Sequence, residues 1–336
     1  MRVIIFSIGK EVESLWDMIY KENDWLYVLC FVDNDVSKIG KSVHDKKVIP
    51  PQLINEYEYD YIAIGSRQYY DEIEKQLLLN HKIEKRKIVY LYDFFVDNYI
   101  KRRYLKKYNS GTSEPKKSLN KLKVVVYTAI TGTYDSILEP MVTDENVDYV
   151  CFTDDKKLQP SIWNLEILKK DNLDSSRLSR KVKTMPDQFF SGYDLSIWVD
   201  ANLQIRGSLL EYAESYMRGC DMLCFPHPWR NCVYEEAAVV KKLGLDNNYL
   251  VDRQIDFLKQ DGFPMDYGLV AGGCLVRFHN KDAIKQFGQK WWSMILNGSK
   301  RDQLSMTYAC WKMKVPYDIS DLNILNNKYL LRLNHK

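Results

Sequence analysis

The sequence has no apolar run approaching the roughly 18 residues that a membrane-spanning helix needs. Its first residues, MRVIIFSIGKEVE, contain too short an apolar run for a signal peptide. Seven cysteines are present without any CxxC pair, which indicates neither a disulfide framework nor a zinc site. They are typical of small buried hydrophobes in a reducing compartment. Together these absences predict a cytoplasmic protein.

The chain also lacks a strong excess of charge of either sign. Its net charge is only +3, whereas nucleic-acid-binding proteins usually carry a concentrated basic excess. We therefore expect no nucleic-acid partner. With 46% hydrophobic and 28% charged residues, the 336 residues can form about two domains with real cores.

Residues 1–95 alternate strand and helix signals, which is typical of a parallel, doubly wound α/β sheet. Strand patterns cover residues 3–6, 27–32 and 61–64. The glycine-rich phosphate turn of a dinucleotide site is reduced here to Gly9. Asp33 could hold a ribose hydroxyl, but it fits an exposed turn as well, and one glycine is a weak signal. We favour the turn.

A basic, turn-rich segment separates this domain from the next. The stretch NSGTSEP at 109–115 predicts a break, and we set the boundaries at 1–108, a linker at 109–122, and 123–336. Five basic residues precede the break, namely Lys101, Arg102, Arg103, Lys106 and Lys107. They could contact anionic lipid at the inner face of the membrane, or form a solvated helix end.

The second domain opens with a strand at 124–127 that runs into the small residues Thr128 and Ala129. In open α/β sheets, ligands bind beyond the carboxyl ends of the strands, so this turn is well placed for a nucleotide. Tyr134 in the same turn could stack on a base. Taken alone, such a segment is more often an ordinary connection between a strand and a loop.

Two further strand patterns end in acidic residues. The strand at 149–153 is followed by Asp154 and Asp155, and the strand at 195–199 by Asp200, Ala201 and Asn202. Hard divalent cations prefer oxygen ligands, so Asp200 is a natural ligand and the Asn202 amide oxygen a weaker one. The charge of a departing diphosphate must be neutralised by a metal or by fixed cations, and this pattern indicates a possible site for Mn²⁺ or Mg²⁺.

A cluster of cations lies between these strands in sequence. Its members are Arg177, Arg180, Lys181 and Lys183. On a helix, these side chains would lie on neighbouring faces and could bind phosphate. A solvated basic helix is the alternative. The acidic strand ends nearby favour phosphate binding.

Seven motifs follow one another in order after the linker. They are YTAITGTYD, DYVCFTDD, SRLSRKVKTMP, YDLSIWVDANLQI, HPWRNCVYEEA, GGCLVRFHN and RDQLS. This series resembles the glycosyltransferase-like family named for its turgor-regulation and mucilage-related plant members, which is also found in bacterial polysaccharide loci. The resemblance implies a GT-A-type fold that holds a nucleotide-sugar donor. Residues 1–90 resemble the small Rossmann-like domain fused to bacterial polysaccharide-biosynthesis enzymes.

The resemblance also assigns residues to the donor site. It places His227 and Arg230 near donor phosphate, where His227 could also ligate a metal or be a buried structural residue. Gly272 and Gly273 would line the sugar and acceptor pocket. His335 would close over the site and complete the metal ligands Asp200 and Asn202.

The motif RDQLS carries the predicted reaction chemistry. Asp302 is the candidate general base, or alternatively a hydrogen-bond acceptor for donor-sugar hydroxyls or an N-terminal helix stabiliser. Gln303 could position the donor, and Arg301 contributes to donor binding. With Asp200, Asp302 and Gln303 form the predicted catalytic set.

We therefore expect transfer of a sugar from a nucleotide-sugar donor to a glycan or lipid-linked saccharide acceptor in polysaccharide or capsule biosynthesis. The alternative from another class is a non-catalytic scaffold that binds sugar nucleotides, in which Asn202 reflects lost metal binding. A Rossmann-type oxidoreductase is a weaker alternative, since nothing after residue 123 resembles a hydride-transfer site.

Overall fold

The computed structural model describes residues 1–21, 25–103, 119, 121–132, 136–169 and 172–333. The chain divides into two compact units, Met1–Tyr99 and Ile100–Lys336. Most of the predicted linker, and Lys106 and Lys107 of the basic segment, lie outside the described residues. The boundaries at 108 and 122 therefore stay predictions. Among the described ranges, no helix combines the length and apolarity needed to cross a bilayer.

The N-terminal unit contains a six-stranded sheet in the order β3-β4-β2-β1-β5-β6. All neighbours pair in parallel except β3 and β4. The elements are β1 Arg2–Phe6, α1 Lys10–Lys21, β2 Tyr27–Val32, β3 Ser42–Val43, β4 Lys46–Ile49, β5 Tyr61–Ile64, α2 Tyr70–Leu79, β6 Ile88–Tyr90 and α3 Leu91–Arg103. The predicted parallel α/β sheet is confirmed.

The central strand β1 explains why this sheet has a core on each face. Side chains alternate across a strand, so Val3 and Ile5 pack with Val12 of α1, while Ile4 and Phe6 pack on the opposite face. Such a strand is apolar on both faces, as parallel sheets covered by helices require.

Asp33 at the end of β2 is used by its own domain. Its carboxylate accepts the backbone N–H of Ile8 at 3.1 Å and of Asp35 at 2.9 Å, and pairs with Lys38 Nζ at 2.9 Å. These contacts hold the turn between β1 and α1 in place. The arrangement agrees with the interpretation of Asp33 as a turn residue.

The C-terminal unit contains a seven-stranded sheet in the order β14-β12-β13-β10-β7-β8-β9, and β11 pairs separately with β15. Strand β13 runs antiparallel to β10 and β12, whereas the other neighbours are parallel. The strands are β7 Val124–Ile130, β8 Val147–Thr153, β9 Asn164–Ile167, β10 Leu195–Val199, β11 Leu203–Ile205, β12 Met222–Pro226, β13 Val270–Arg277, β14 Asp318–Ile319 and β15 Leu330–Arg332.

The helices of this unit are α4 Ser175–Thr184, α5 Leu209–Tyr216, α6 Val233–Lys242, α7 Asn248–Gln260, α8 Asp282–Asn297 and α9 Met306–Met313. Helix α5 packs on one face of the sheet and α4, α8 and α9 on the other, while α6 and α7 share a separate apolar cluster. Strand β7 contributes to a core on each face of the sheet. Val124 and Val126 pack in one core, and Val125 and Tyr127 in the other. The predicted α/β class therefore holds for the second unit too.

Helix α4 carries the predicted cation cluster and is fixed at both ends. Asp174 caps its N-terminus by accepting the backbone N–H of Arg177 at 3.0 Å. Near the C-terminus of α4, a Cβ on Gly288 of α8 would clash with the carbonyl oxygen of Thr184. Glycine at this position therefore permits the close approach of the two helices. The position of α4 against the sheet is thereby set.

Candidate active site

The candidate site lies where the carboxyl ends of β7 and β10 meet the start of β13. Because β13 is antiparallel to β10, its first residues are level with the end of β10, and the backbone N–H of Asp200 donates to the Gly273 carbonyl at 2.7 Å. Thr128 of β7 and Asp200 line a cavity of about 10 Å³, the size of one water molecule. The topology thus brings together Thr128, Asp200 and the glycine pair.

One oxygen of Asp200 is held by two donors. Oδ1 accepts from Trp198 Nε1 at 2.7 Å and from Lys183 Nζ at 3.1 Å. Trp198 lies two residues earlier, on the same face of the extended chain. The Asp200 side chain is 32% exposed, and Oδ2 would lie 3.5 Å from a Cβ on Gly273. The second oxygen therefore faces the glycine pair.

Lys183 is buried between two carboxylates. Its side chain is 1% exposed, and Nζ lies 2.5 Å from Asp302 Oδ2 as well as 3.1 Å from Asp200 Oδ1. The ammonium also lies 5.4 Å from the ring centre of Trp198 and 6.0 Å from that of Trp291, within cation–π range. A lysine predicted to grip phosphate is thus the centre of an internal ion-pair network.

Asp302 lies in a 3₁₀ turn, Asp302–Leu304, whose backbone is anchored by Trp291 Nε1 donating to the Asp302 carbonyl at 3.1 Å. Arg180 Nε lies 3.4 Å from Oδ2. Burial alone raises the pKa of the Asp302 carboxyl, but the charges of Arg180, Lys183 and Arg301 hold that pKa well below its ordinary value. A carboxylate so stabilised is a weak proton acceptor, which favours a role in organising cations over that of general base.

Gln303 is tied to the start of β13. Its side-chain amide donates to the Val270 carbonyl, and its Oε1 accepts the Gly272 backbone N–H at 3.4 Å. A Cβ on Gly272 would lie 3.1 Å from Lys183 Nζ and 3.4 Å from Asp302 Oδ2. The missing side chain at Gly272 therefore leaves the ion-pair network in direct contact with the β13 backbone.

Arg177 is directed away from this network. Its guanidinium donates to the carbonyls of Ile295 at 3.1 Å and Gly298 at 2.8 Å, and to Asp174 at 2.6 Å. These bonds tie the start of α4 to the end of α8. The helical spacing predicted a helix here, but Arg177 faces a neighbouring helix.

The acidic pair after β8 stabilises turns. Asp154 accepts the backbone N–H of Gly132 at 2.9 Å and so links the turns that follow β7 and β8. Asp155 accepts the Lys157 N–H at 2.8 Å. Ala129 packs in the core on the face away from the one that holds Val126. Of this group, Asp154 borders the predicted nucleotide turn most directly.

His227 is buried at the end of β12. Its Nδ1 accepts the backbone N–H of Trp229 at 3.3 Å and of Arg230 at 3.1 Å, and Nε2 lies 3.7 Å from Glu236 Oε2. Burial first, and the charge of Arg230 second, hold the pKa of His227 well below its ordinary value. Arg230 itself pairs with Glu236. These contacts match the structural alternative for His227.

Asn202, Arg301 and Lys181 are further residues of the predicted donor site. The Asn202 carbonyl accepts the Leu333 N–H at 2.9 Å, which joins the turn after β10 to the chain beyond β15. The backbone N–H of Arg301 donates to Ser299 Oγ at 3.1 Å, and its side chain lowers the pKa of Asp302. Lys181 is half-buried on α4.

The predicted divalent metal stays a prediction. Its ligands were to be Asp200, Asn202 and His335, but His335, like Tyr134, lies outside the described residues. Within the described part of the chain, no group of three or more His, Cys, Asp or Glu is placed to hold a metal ion. The space between the Asp200 and Asp302 carboxylates is filled by the Lys183 ammonium.

Trp198, Trp291 and Arg277 also contribute to the site, and none of them is in the predicted set of site residues. The fully buried Arg277 donates from Nη2 to the Lys183 carbonyl at 2.8 Å and to Tyr127 Oη at 2.5 Å, and so caps the helix end that carries Lys183. Trp198 could have been found, because it lies two residues before Asp200 on one strand face. No local pattern indicates the contacts of Trp291 or Arg277.

Comparison with known proteins gives the class and the family of this α/β protein. The TOD1/MUCI70 glycosyltransferase-like domain matches residues 107–333, more than half of the chain, and the chain belongs to this family. Residues 1–89 match the C2185-like N-terminal domain. The predicted family is confirmed.

More distant comparisons add little. No curated protein matches the chain. Among solved structures, the apo structure of the bifunctional glycosyltransferase WbbM matches at 11% identity with a TM-score of 0.40. The match covers 63% of this chain and 40% of the WbbM chain. A likeness at this level assigns no residue and no activity.

Proposed function

We propose that the C-terminal unit transfers a sugar from a nucleotide-sugar donor to a glycan or lipid-linked saccharide acceptor. The observation that carries the proposal is the network of charged side chains formed by Lys183, Arg180, Asp200 and Asp302 at the carboxyl ends of β7 and β10. Ligands of open α/β sheets bind at this edge. A family whose domain is described as glycosyltransferase-like supports the reaction class.

The charges of the site suit a departing diphosphate. Lys183, Arg180 and Arg301 act on Asp302, and Lys183 also pairs with Asp200, so three cations face two carboxylates. The site keeps a net positive charge. In the reaction, the bond from the sugar C1 to the diphosphate oxygen breaks and its electron pair leaves with the diphosphate. The acceptor oxygen forms the new bond to C1, and its proton passes to solvent. Fixed cations stabilise the charge that develops on the leaving group.

Thr128 supports a donor position beside Asp200. Its side chain is buried and lines the same small cavity as Asp200, and its Oγ1 has no hydrogen-bond partner among the residues that the structure describes. Buried hydroxyls normally have a partner, so an orphan of this kind beside a strand end indicates a place for a ligand atom or a water molecule. A donor hydroxyl or phosphate oxygen would satisfy it.

For the acceptor we propose a saccharide intermediate of polysaccharide assembly, following the family resemblance. A lipid-linked acceptor would bring the enzyme to the cytoplasmic face of the membrane. The seven free cysteines, six of them buried, suit that reducing compartment. The small net charge argues against nucleic acid as a partner.

A screen of nucleotide sugars tests the reaction class. Donors are first ranked by thermal shift, because a ligand that binds only the native state raises stability with the logarithm of its concentration. Release of nucleoside diphosphate from the best donor is then measured with and without manganese. Turnover supports the enzyme, binding without turnover would identify a scaffold, and binding of a nicotinamide dinucleotide alone would favour an oxidoreductase.

A further inference from the structure

We infer that the Lys183 ammonium takes the place of a divalent cation in this site, so that the protein binds and activates its donor without a metal ion. The inference rests on the proposed function, because it concerns the charge that a donor diphosphate meets. It is an alternative to the metal site predicted at Asp200, Asn202 and His335.

Lys183 is the buried counter-ion of two carboxylates, those of Asp200 and Asp302. Its Nζ bridges Asp302 at 2.5 Å and Asp200 at 3.1 Å, and the side chain is 1% exposed. Two carboxylates this close to one point repel each other unless a cation lies between them. The rings of Trp198 and Trp291 face the same ammonium. The lysine is thus held from several sides in the space between the acids.

A dication cannot share that space. Divalent ions bind directly to oxygen ligands at about 2.0–2.6 Å, and the ammonium already lies between the two carboxylates, at 2.5 Å from Asp302 and 3.1 Å from Asp200. Binding a metal between Asp200 and Asp302 would require Lys183 to leave a buried position. The Arg277 bond to the Lys183 carbonyl and the packing of α4 on α8 hold its backbone in place.

The same network brings further positive charge to the surface of the site. Arg180 Nε lies 3.4 Å from Asp302, and its side chain is 24% exposed, so it reaches both the buried acid and solvent. Arg301 acts on the same carboxylate. A diphosphate arriving beside Gly272 would meet a field from three cations anchored on Asp302. The side-chain cations supply the neutralisation that a single divalent ion would otherwise give.

Metal dependence of the intact protein is the first test. Binding of a panel of nucleoside diphosphates is measured by calorimetry in excess EDTA and in Mn²⁺, and turnover of the best nucleotide sugar is measured under the same conditions. We expect affinity and turnover in EDTA within about twofold of the values in Mn²⁺, a difference of less than ~0.5 kcal/mol.

The second test uses Lys183→Gln, which removes the charge and keeps much of the volume. We expect nucleoside diphosphate affinity and turnover in EDTA to fall at least tenfold, and added Mn²⁺ to restore part of both, because a dication can then enter between the two acids. If Lys183 had only a structural role, Mn²⁺ would not restore affinity or turnover in Lys183→Gln. Lys242→Gln is the matched control, since Lys242 is exposed on α6. It should behave as the wild type.

Each result bears on the inference separately from the proposed function. Wild-type binding that needs Mn²⁺ overturns the inference and leaves the glycosyltransferase proposal intact. Lys183→Gln with wild-type affinity in EDTA also overturns the inference. Metal-free binding of nucleoside diphosphate without any turnover supports the inference but contradicts the proposed reaction. If no nucleoside diphosphate binds with or without metal, both fail.

Discussion

The Asp302→Asn substitution removes one charge from the buried network while keeping the size of the side chain. Asp302 is the closest partner of Lys183, whose side chain has almost no access to water. Removing one partner of a buried ion pair costs about 3–5 kcal/mol. Asp200 remains as a second partner at 3.1 Å, so we expect the lower end, about 3 kcal/mol of lost unfolding free energy.

Calorimetry or urea unfolding at pH 7 measures this loss. For a unit of this size, a change of about 3 kcal/mol corresponds to a fall in melting temperature of roughly 6–12 °C. Asp252→Asn provides the matched control, because Asp252 pairs with Lys241 on the surface and is 55% exposed. Exposed pairs contribute about 0–1 kcal/mol, so the control should melt close to the wild type.

The pH dependence has a defined sign. The pKa of Asp302 is lowered in the folded protein, so the folded state holds this proton less tightly than the unfolded chain does. The stabilisation is therefore fully present above the unfolded pKa of about 3.9 and is lost as pH falls through the lower folded value. The difference between wild type and Asp302→Asn should be constant from about pH 5 to 8 and shrink below about pH 4.

Turnover on the same variant separates the two roles of Asp302. If the carboxylate organises the cations, nucleoside diphosphate affinity and turnover fall together. A general base would instead lose roughly a hundredfold in turnover with donor affinity unchanged. The low pKa favours the first outcome. An Asp302→Asn protein as stable as the wild type, with unchanged affinity, would refute the network itself.

Three further predictions concern the N-terminal domain, His227 and Gly272. Deleting residues 1–108 should leave a folded C-terminal unit that binds nucleotide sugar in a thermal-shift assay; a folded truncation without binding would contradict this. In the wild type, the free energy of unfolding should fall between about pH 6.5 and 5, because histidine is protonated in the unfolded chain while buried His227 stays neutral. His227→Asn should make this fall smaller. An unchanged slope would show that His227 is not neutral in the folded protein. Gly272→Ala should lower turnover about tenfold by crowding Lys183 Nζ, with Gly192→Ala, in open space, as the control; equal rates would remove Gly272 from the site.

The sequence predicts the sheets well because their signals are local. The runs of apolar residues in β1, β2, β7 and β10 mark strands buried on both faces, and the structure has strands there. The acidic residue that ends a strand, Asp200, is also a local signal. Its position at the carboxyl edge follows from the parallel pairing of β10 with β7.

The partners within the site are not local. Asp302 lies 119 residues after Lys183, and only the folded chain brings them together. Helical spacing places Arg177 and Lys183 in one cluster of cations, but it does not tell which face of α4 meets α8 and which meets the acids. The counter-ion of Asp200, Lys183, is likewise distant from it along the chain.

Release of nucleoside diphosphate from the best nucleotide sugar, compared between wild type and Asp200→Ala, tests the central claim most directly. Asp200 holds Lys183 and faces the glycine pair, so the account predicts turnover by the wild type and its near abolition in a variant that still folds by circular dichroism. Wild-type turnover in folded Asp200→Ala, or no release from any donor by the wild type, would contradict it.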